Sequence, residues 1–281
     1  MVTINTSARY ALQNIRSISD ELTTTQNRIS SGLRVASAKD DATVWVAAEG
    51  IRTDLKTHAA IDKSLSTAKA TVDAGTSATT GIASALSNLN AKLAAYSAAS
   101  DKNTAWLAVT AAQAQITAAT NFSGAKNLIN NGTTAYSYAS SVGAAGAVVS
   151  STITPVDVVA ASTTAVITGT NTFTTTLTTF TQAELDNSSK AADISSSLTS
   201  TITTVTNYAA ALGAASDRIA TQQSMNKALS SSKETTLSNL VDANLEEESA
   251  RLQALQTKQQ LAYQALNIAN QGAQNILRLF Q

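Results

Sequence analysis

The sequence predicts a mainly α protein, a long antiparallel helical bundle or coiled coil of its N- and C-terminal segments with a small β-hairpin insert. Three observations lead there. Apolar residues recur at alternating steps of four and three near both ends of the chain, the signature of helices that each bury one stripe. The same rhythm runs through a long stretch in between. Aromatic residues make up only 4% of the chain, too few to fill a wide globular core but compatible with thin, close-packed helices.

The first stripe comprises Ile4, Ala8, Ala11, Ile15, Ile18, Leu22, Thr25 and Ile29, with Thr25 its one polar member. Ser31-Gly32 is a natural stop, because glycine tolerates the left-handed cap. The second stripe runs through Ile51, His58, Ile61, Leu65, Ala68, Val72, Gly75, Thr79, Ile82, Leu86, Leu89, Leu93 and Tyr96, with Asp54 the misfit. Ile61, Leu65, Val72, Ile82, Leu86, Leu89 and Leu93 are its expected core. Ser100-Asp101-Lys102-Asn103 reads as a turn with Asn103 as N-cap. A shorter helix follows, carrying Trp106, Val109, Gln113 and Ile116, and stops near Asn121-Phe122-Ser123-Gly124.

Between 127 and 183 Asp157 is the sole charge. Tyr136, Tyr138 and Val142, then Val149, Ser151 and Ile153, alternate around Gly143-Ala144-Ala145-Gly146, which predicts a hairpin. A loop or extra strand is expected around Val156–Ile167. Phe173, Leu177 and Phe180 have helical rather than strand spacing, which leaves the Thr-rich tail of this region open between the two. Helix resumes with Ile194, Leu198, Val205, Leu212 and Ile219. Ser231-Ser232-Lys233-Glu234 and Asn244-Leu245-Glu246-Glu247 both have capping-box spacing and mark possible helix starts. The final stripe is Val241, Leu245, Glu248, Leu252, Leu255, Gln259, Ala262, Leu266, Ala269, Ala273, Ile276 and Phe280, interrupted only by Glu248 and Gln259.

Neither terminal stripe can be satisfied by its own helix, so the two should pack on each other or on further copies of the chain. The expected packing seam is Ile4, Ala11, Ile15, Ile18, Leu22 and Ile29 with Leu252, Leu255, Ala262, Leu266, Ala269, Ile276 and Phe280. The layout is nested: 1–38 and 244–281 as terminal helices, 39–126 and 184–243 as helical core, 127–183 as a small surface-facing β or irregular insert. Both termini should then lie at one pole and the insert at the other.

Chemistry finds little footing. The formal charge is zero, which gives no basic field for nucleic acid, and no run of about 18 apolar residues offers membrane insertion. The chain has no cysteine and one proline, Pro155, so it can unfold and refold quickly, which suits passage through a narrow channel. Met1-Val2-Thr3-Ile4-Asn5 lacks the basic start and apolar core of a cleaved signal. The one histidine, His58, lies on an apolar stripe and reads as a packed residue; alone it makes a poor metal ligand. Asp40-Asp41 and Glu246-Glu247-Glu248 fit first helical turns or surface ion pairs. Trp45 and Trp106 read as packing residues. No catalytic residue, cofactor or metal is expected, and the chain reads as a non-enzyme.

Arg28-Ile29-Ser30-Ser31-Gly32-Leu33-Arg34-Val35-Ala36-Ser37-Ala38-Lys39-Asp40-Asp41-Ala42, Phe122-Ser123-Gly124 with Leu128, and the C-terminal Gln259-Gln260-Leu261, Gln264-Ala265-Leu266, Ala269-Asn270-Gln271 and Gln274-Asn275-Ile276-Leu277-Arg278-Leu279 resemble bacterial flagellins. Trp45 and Leu252–Ala265 look most like the short flagellins of alphaproteobacteria. The resemblance implies a secreted, extracellular subunit of the flagellar filament, a helical homopolymer with terminal helices in its inner tubes. A hook-filament junction (hook-associated) protein is the alternative. It further implies hook-associated junction and cap proteins, the flagellar type III export apparatus and an export chaperone as partners, and termini that order only on assembly. Thr43-Val44-Trp45-Val46 departs from the family's usual glycine and small residues. Asn88, Asn90 and Ala91 stand where receptor-recognised flagellins carry arginine and glutamate.

Overall fold

A computed structural model describes residues 6–121, 126–129, 135–143, 147–163, 167–168 and 174–279. Long helices dominate it: α1 (Thr6–Ser31), α2 (Ala42–Ala98), α3 (Lys102–Thr120), α4 (Lys126–Ile129), the strands β1 (Tyr136–Val142) and β2 (Val148–Ile153), α5 (Val158–Thr163), the short strands β3 (Ile167–Thr168) and β4 (Thr174–Thr175), α6 (Gln182–Leu185), α7 (Ser188–Val241) and α8 (Leu245–Leu279). Two compact units emerge, an end unit of residues 1–55 with 230–281 and a middle unit of residues 56–229. Their boundaries fall inside α2 and α7. Among the described residues no helix is long and apolar enough to cross a membrane.

Many serines and threonines sit inside these helices, where free hydroxyls would compete with the backbone. Here they bond four residues back instead. Thr67 Oγ1 donates to the carbonyl of Lys63, Thr71 to Thr67, Thr79 to Gly75, and Thr203 to Thr199. Many helical hydroxyls are thus satisfied by the helix's own backbone.

The middle unit has one continuous apolar core. Ile61, Leu65, Val72, Ile82, Leu86, Leu89 and Leu93 of α2 are all buried in it, together with Val109 and Ile116 of α3 and Ile194, Leu198, Val205, Leu212 and Ile219 of α7. Each fully buried leucine or isoleucine contributes roughly 1.5–3 kcal/mol. Polar cross-links show that α2 and α7 run antiparallel here: His58 meets Asn226, Ser66 meets Gln223, and Lys69 and Asp73 both meet Ser216. His58 is 3% exposed and its Nδ1 lies 2.6 Å from Asn226 Oδ1, while Asn226 Nδ2 donates to the His58 carbonyl at 2.9 Å. It is a packed, hydrogen-bonded histidine.

The hairpin pairs Tyr136 with Ile153 and Tyr138 with Ser151, with a bulge between Ala139 and Ser141. Its tip at 144–146, Phe122-Ser123-Gly124 and Phe173 all lie outside the described residues. One face of the insert joins the main core through Leu128, Ile129, Tyr138, Val158, Leu177 and Phe180. Tyr208 of α7 donates its hydroxyl to the Leu128 carbonyl at 2.8 Å.

Three sequence expectations are corrected, and one left open is settled. Asp101, not Asn103, caps α3, accepting from the backbone N–H groups of Asn103 and Thr104. The carboxylate reaches both orphan amides, and Asn103 turns its own oxygen to Gln182. Val156–Ile167 holds the short helix α5 rather than only a loop or strand, because Asp157 Oδ1 accepts from the Ala160 N–H at 2.7 Å and starts a turn. The stretch left open between helix and strand holds a turn, with Leu177 buried in it and Phe180 buried just after it. No helix begins at Ser231, since α7 runs unbroken through Ser231–Glu234, where no glycine or proline interrupts it.

Candidate functional site

The end unit is built on α1 and α8, which pack along each other. Arg28, in the last turn of α1, meets Glu248, in the first turn of α8, so the pair is antiparallel. On α1, Ile15, Ile18 and Thr25 are buried, and Ala8, Ala11, Leu22 and Ile29 are half-buried. On α8, Glu248 and Leu255 are buried, and Leu252, Gln259, Ala262, Leu266 and Ala269 are half-buried. Ile4, Phe280 and the side chain of Ile276 lie outside the described residues. Leu245, counted on the final stripe, is 50% exposed: it opens α8, a position ahead of the face that meets α1. Away from the seam, Tyr10 is 74% and Leu12 44% exposed on α1, and Leu261 58%, Tyr263 49% and Ile268 70% on α8. The helix pair therefore keeps apolar side chains in solvent after its own seam has closed.

A backbone clamp closes the base of this pair. Gly32 ends α1 with φ +71° and its N–H bonded to the Arg28 carbonyl at 2.8 Å. The chain then runs antiparallel to the segment between α7 and α8, with Leu33 bridged to Asp242. Ala243 N–H donates to the Gly32 carbonyl at 2.9 Å, and Arg34 N–H to the Val241 carbonyl at 2.7 Å. The Arg34 guanidinium caps the Leu240 carbonyl near the end of α7 at 2.6 Å, where positive charge suits the helix dipole. Val35 and Val241 are 2% and 1% exposed beneath these bonds. Residues far apart in sequence are thereby tied together through their main chains.

The rest of the Arg28–Ala42 motif sets the turn into α2. Asp40 Oδ2 accepts from the backbone N–H groups of Ala36 and Ser37 and from the Ser37 hydroxyl. Asp41 Oδ1 accepts from the N–H groups of Thr43 and Val44, capping α2. Trp45 is half-buried under Arg52, whose guanidinium carbon lies 5.2 Å from the ring centroid. At the start of α8, Asn244 Oδ1 accepts from the Glu246 N–H. Asp54, the misfit of the second stripe, pairs with Lys233 at 2.5 Å.

No added methyl at Gly32 would meet anything within 4 Å, so the penalty of a side chain there is purely conformational. Gly32→Ala is expected to weaken the end unit by roughly 1–2 kcal/mol, with Gly32→Asn milder. Equilibrium urea unfolding of the two variants checks this, and equal stability of Gly32→Ala and wild type is the opposing result.

Three carboxylates sit below the usual range. The Ser37 N–H and hydroxyl lower Asp40, the Lys69 ammonium and Ser216 hydroxyl lower Asp73, and the Thr104 hydroxyl and backbone N–H lower Asp101. Each binds its proton less readily folded than unfolded. The stability they lend is present above about pH 4, the unfolded value, and is lost as pH falls through their lowered folded values. Asp73→Asn with Asp101→Asn keeps hydrogen-bonding shape but removes the titration. An acid titration followed by circular dichroism should show a shallower acid limb in that double variant, and an unchanged limb would remove both groups from the account.

The arrangement is a packing surface with a clamp. It agrees with what the chain is similar to. The family model described as the bacterial flagellin N-terminal helical region matches residues 2–137, and that of the C-terminal helical region matches residues 196–280. Flagellin FljK of Caulobacter vibrioides is 33% identical over 100% of this chain and 98% of its own length. The flagellin of Brucella melitensis is 34% identical over 99% of this chain and 98% of its own length. Flagellin C of Rhizobium meliloti is 34% identical over the same shares of both chains, 99% and 98%. Both helical ends and nearly the whole length are covered, and the chain belongs to the bacterial flagellin family.

Proposed function

We propose that this chain is a structural subunit of a bacterial flagellar filament, serving motility by packing against copies of itself rather than by catalysis. The observation that carries the reading is the terminal helix pair: tied at its base by the Gly32–Ala243 clamp, it still exposes Tyr10, Leu12, Leu261, Tyr263 and Ile268. Such side chains belong at contacts between molecules. The seam Ile4, Ala11, Ile15, Ile18, Leu22, Ile29, Leu252, Leu255, Ala262, Leu266, Ala269, Ile276 and Phe280 serves within the subunit and between subunits. The five-part division at 38, 126, 183 and 243 belongs to the same reading, as does an extracellular location after export.

Relatives covered over nearly their whole length, from Caulobacter vibrioides, Brucella melitensis and Rhizobium meliloti, are named flagellins, which supports filament over junction protein. Junction and cap proteins, the export apparatus and its chaperone are the proposed partners beyond the chain itself. Purified protein given short filament seeds should elongate them into long fibres seen by electron microscopy. A chain that stays monomeric at high concentration with seeds present overturns the reading.

A further inference from the structure

The seam that α8 turns to α1 is not its one apolar stripe. Ala254, Lys258, Leu261, Ala265 and Ile268 follow the same alternating steps of four and three, and all of them are exposed. On a helix they fall along a second line, about a third of a turn around from Leu252, Leu255 and Ala262. Single apolar side chains on a surface need no explanation, but positions held in heptad register with one charge among them mark a second helix-packing face. A helix with two such lines is built to lie between two partners. The chain's own α1 takes the first line and leaves the second open.

Copies that point the same way along a filament meet through unlike surfaces, so the occupant differs from the stripe itself. The charges on the other outward faces of the terminal helices narrow the choice. Across α8, Gln253, Gln256, Gln260, Tyr263 and Asn267 offer no acid near Lys258. On one flank of α1, Arg9 and Arg16 stand on either side of Leu12 and would repel Lys258. The other flank is Tyr10, Asn14, Ser17, Glu21 and Thr24, again at steps of four and three and again exposed throughout. Glu21 and Lys258 have no ion-pair partner among the described residues.

The spacings match. Tyr10 and Glu21 stand about 16 Å apart along α1, and Ile268 and Lys258 about 15 Å apart along α8. With the helices antiparallel, as α1 and α8 already are within one chain, a single placement seats Tyr10 on Ile268 and brings Glu21 to Lys258. The short Asn14 and Ser17 then lie opposite Ala265 and Leu261. Arg251, one heptad before Lys258, falls level with Arg28, whose charge Glu248 already meets.

We infer that the outward stripe of α8 receives α1 of a second copy, with Tyr10 on Ile268 and Glu21 against Lys258, an inference that rests on the filament reading above. Each chain then offers α1 to one neighbour and its α8 stripe to another, a head-to-tail relation that extends into an open helical array unless rotation closes it.

The chain has no cysteine, which makes disulfide trapping a clean test. Tyr10→Cys and Ile268→Cys are made in separate chains, one of them lengthened by a tag, then mixed, elongated on seeds and oxidised with diamide. A disulfide joining the two lengths forms only between copies, and should be at least about tenfold more abundant than from Leu12→Cys mixed with Ile268→Cys. Equal yields from the two mixtures overturn the inference, as does a predominance of Ile268→Cys chains joined to each other. A second readout needs no cysteine. Lys258→Glu and Glu21→Lys should each slow seeded elongation at least about tenfold, and the two exchanges in one chain should restore most of it. A combined variant no faster than either single one also overturns the inference. Wild type that fails to elongate overturns the filament reading instead, and the disulfide yields in concentrated soluble protein then still decide whether the two faces meet.

Discussion

Removal of residues 245–281 is expected to abolish filament growth while the helical core of residues 56–229 stays folded. The deletion takes away α8 entirely and strips the cover from Ile15, Ile18 and Leu22 of α1. A single amphipathic helix with no partner for its stripe is marginal in water, so α1 should melt with it. The apolar core of the middle unit contains no residue from either terminal helix, and its thermal transition should persist. Circular dichroism would then show a loss of helicity confined to the ends, with one cooperative melt remaining. A milder version is Leu255→Asp, which puts a charge at a site 3% exposed and should lower elongation by orders of magnitude. Fibres from the truncated chain would sink the proposed role of the terminal pair.

The parts of this architecture that were legible in the sequence are those written as side-chain rhythm. The stripes of α1, α2, α7 and α8 follow from one rule, that a helix with a continuous apolar face must bury it. Even the misfits carried information: Glu248 meets Arg28 and Asp54 meets Lys233, each a charge whose partner is distant in sequence. The clamp was not legible, because its bonds join main chain to main chain, and a backbone amide has no sequence signature. Gly32 alone hinted at it, through the left-handed φ that α1 uses to stop. Local signals failed where another residue of the same type competed. Asp101 outranked Asn103 as a cap two positions away, and the Ser231 capping spacing did not start a helix because α7 runs through Ser231–Glu234 with no glycine or proline to break it. In the insert, the lone charge Asp157 reads as incidental in a low-charge stretch, yet it caps α5.

The insert also yields a stability prediction of large size. Its composition suggests a loosely held surface feature, so substitution there ought to be mild. The structure places Phe180 at 2% exposure instead, edge-on to Trp106 with ring centroids 6.2 Å apart. Trp106 in turn stacks edge-on to Tyr96 at 6.4 Å, and the Phe180 carbonyl accepts from the buried Gln113 amide at 3.2 Å. Phe180→Ala would open a cavity between α2, α3 and the insert that these rings cannot collapse to fill, a loss of roughly 3–5 kcal/mol. That is a large share of the 5–15 kcal/mol by which folded domains are typically stable, and it should lower the melting temperature by about 10 °C. Ile61→Val, in the middle of the same core, should cost only about 1 kcal/mol, so a residue from the irregular segment outweighs one from the longest helix. Urea unfolding of the two variants orders them directly, with a lower midpoint and unchanged slope expected for Phe180→Ala. A loss below about 1 kcal/mol at Phe180 would mean that the insert can detach from the helices without disturbing them, and that the core of the middle unit ends at α3 and α7.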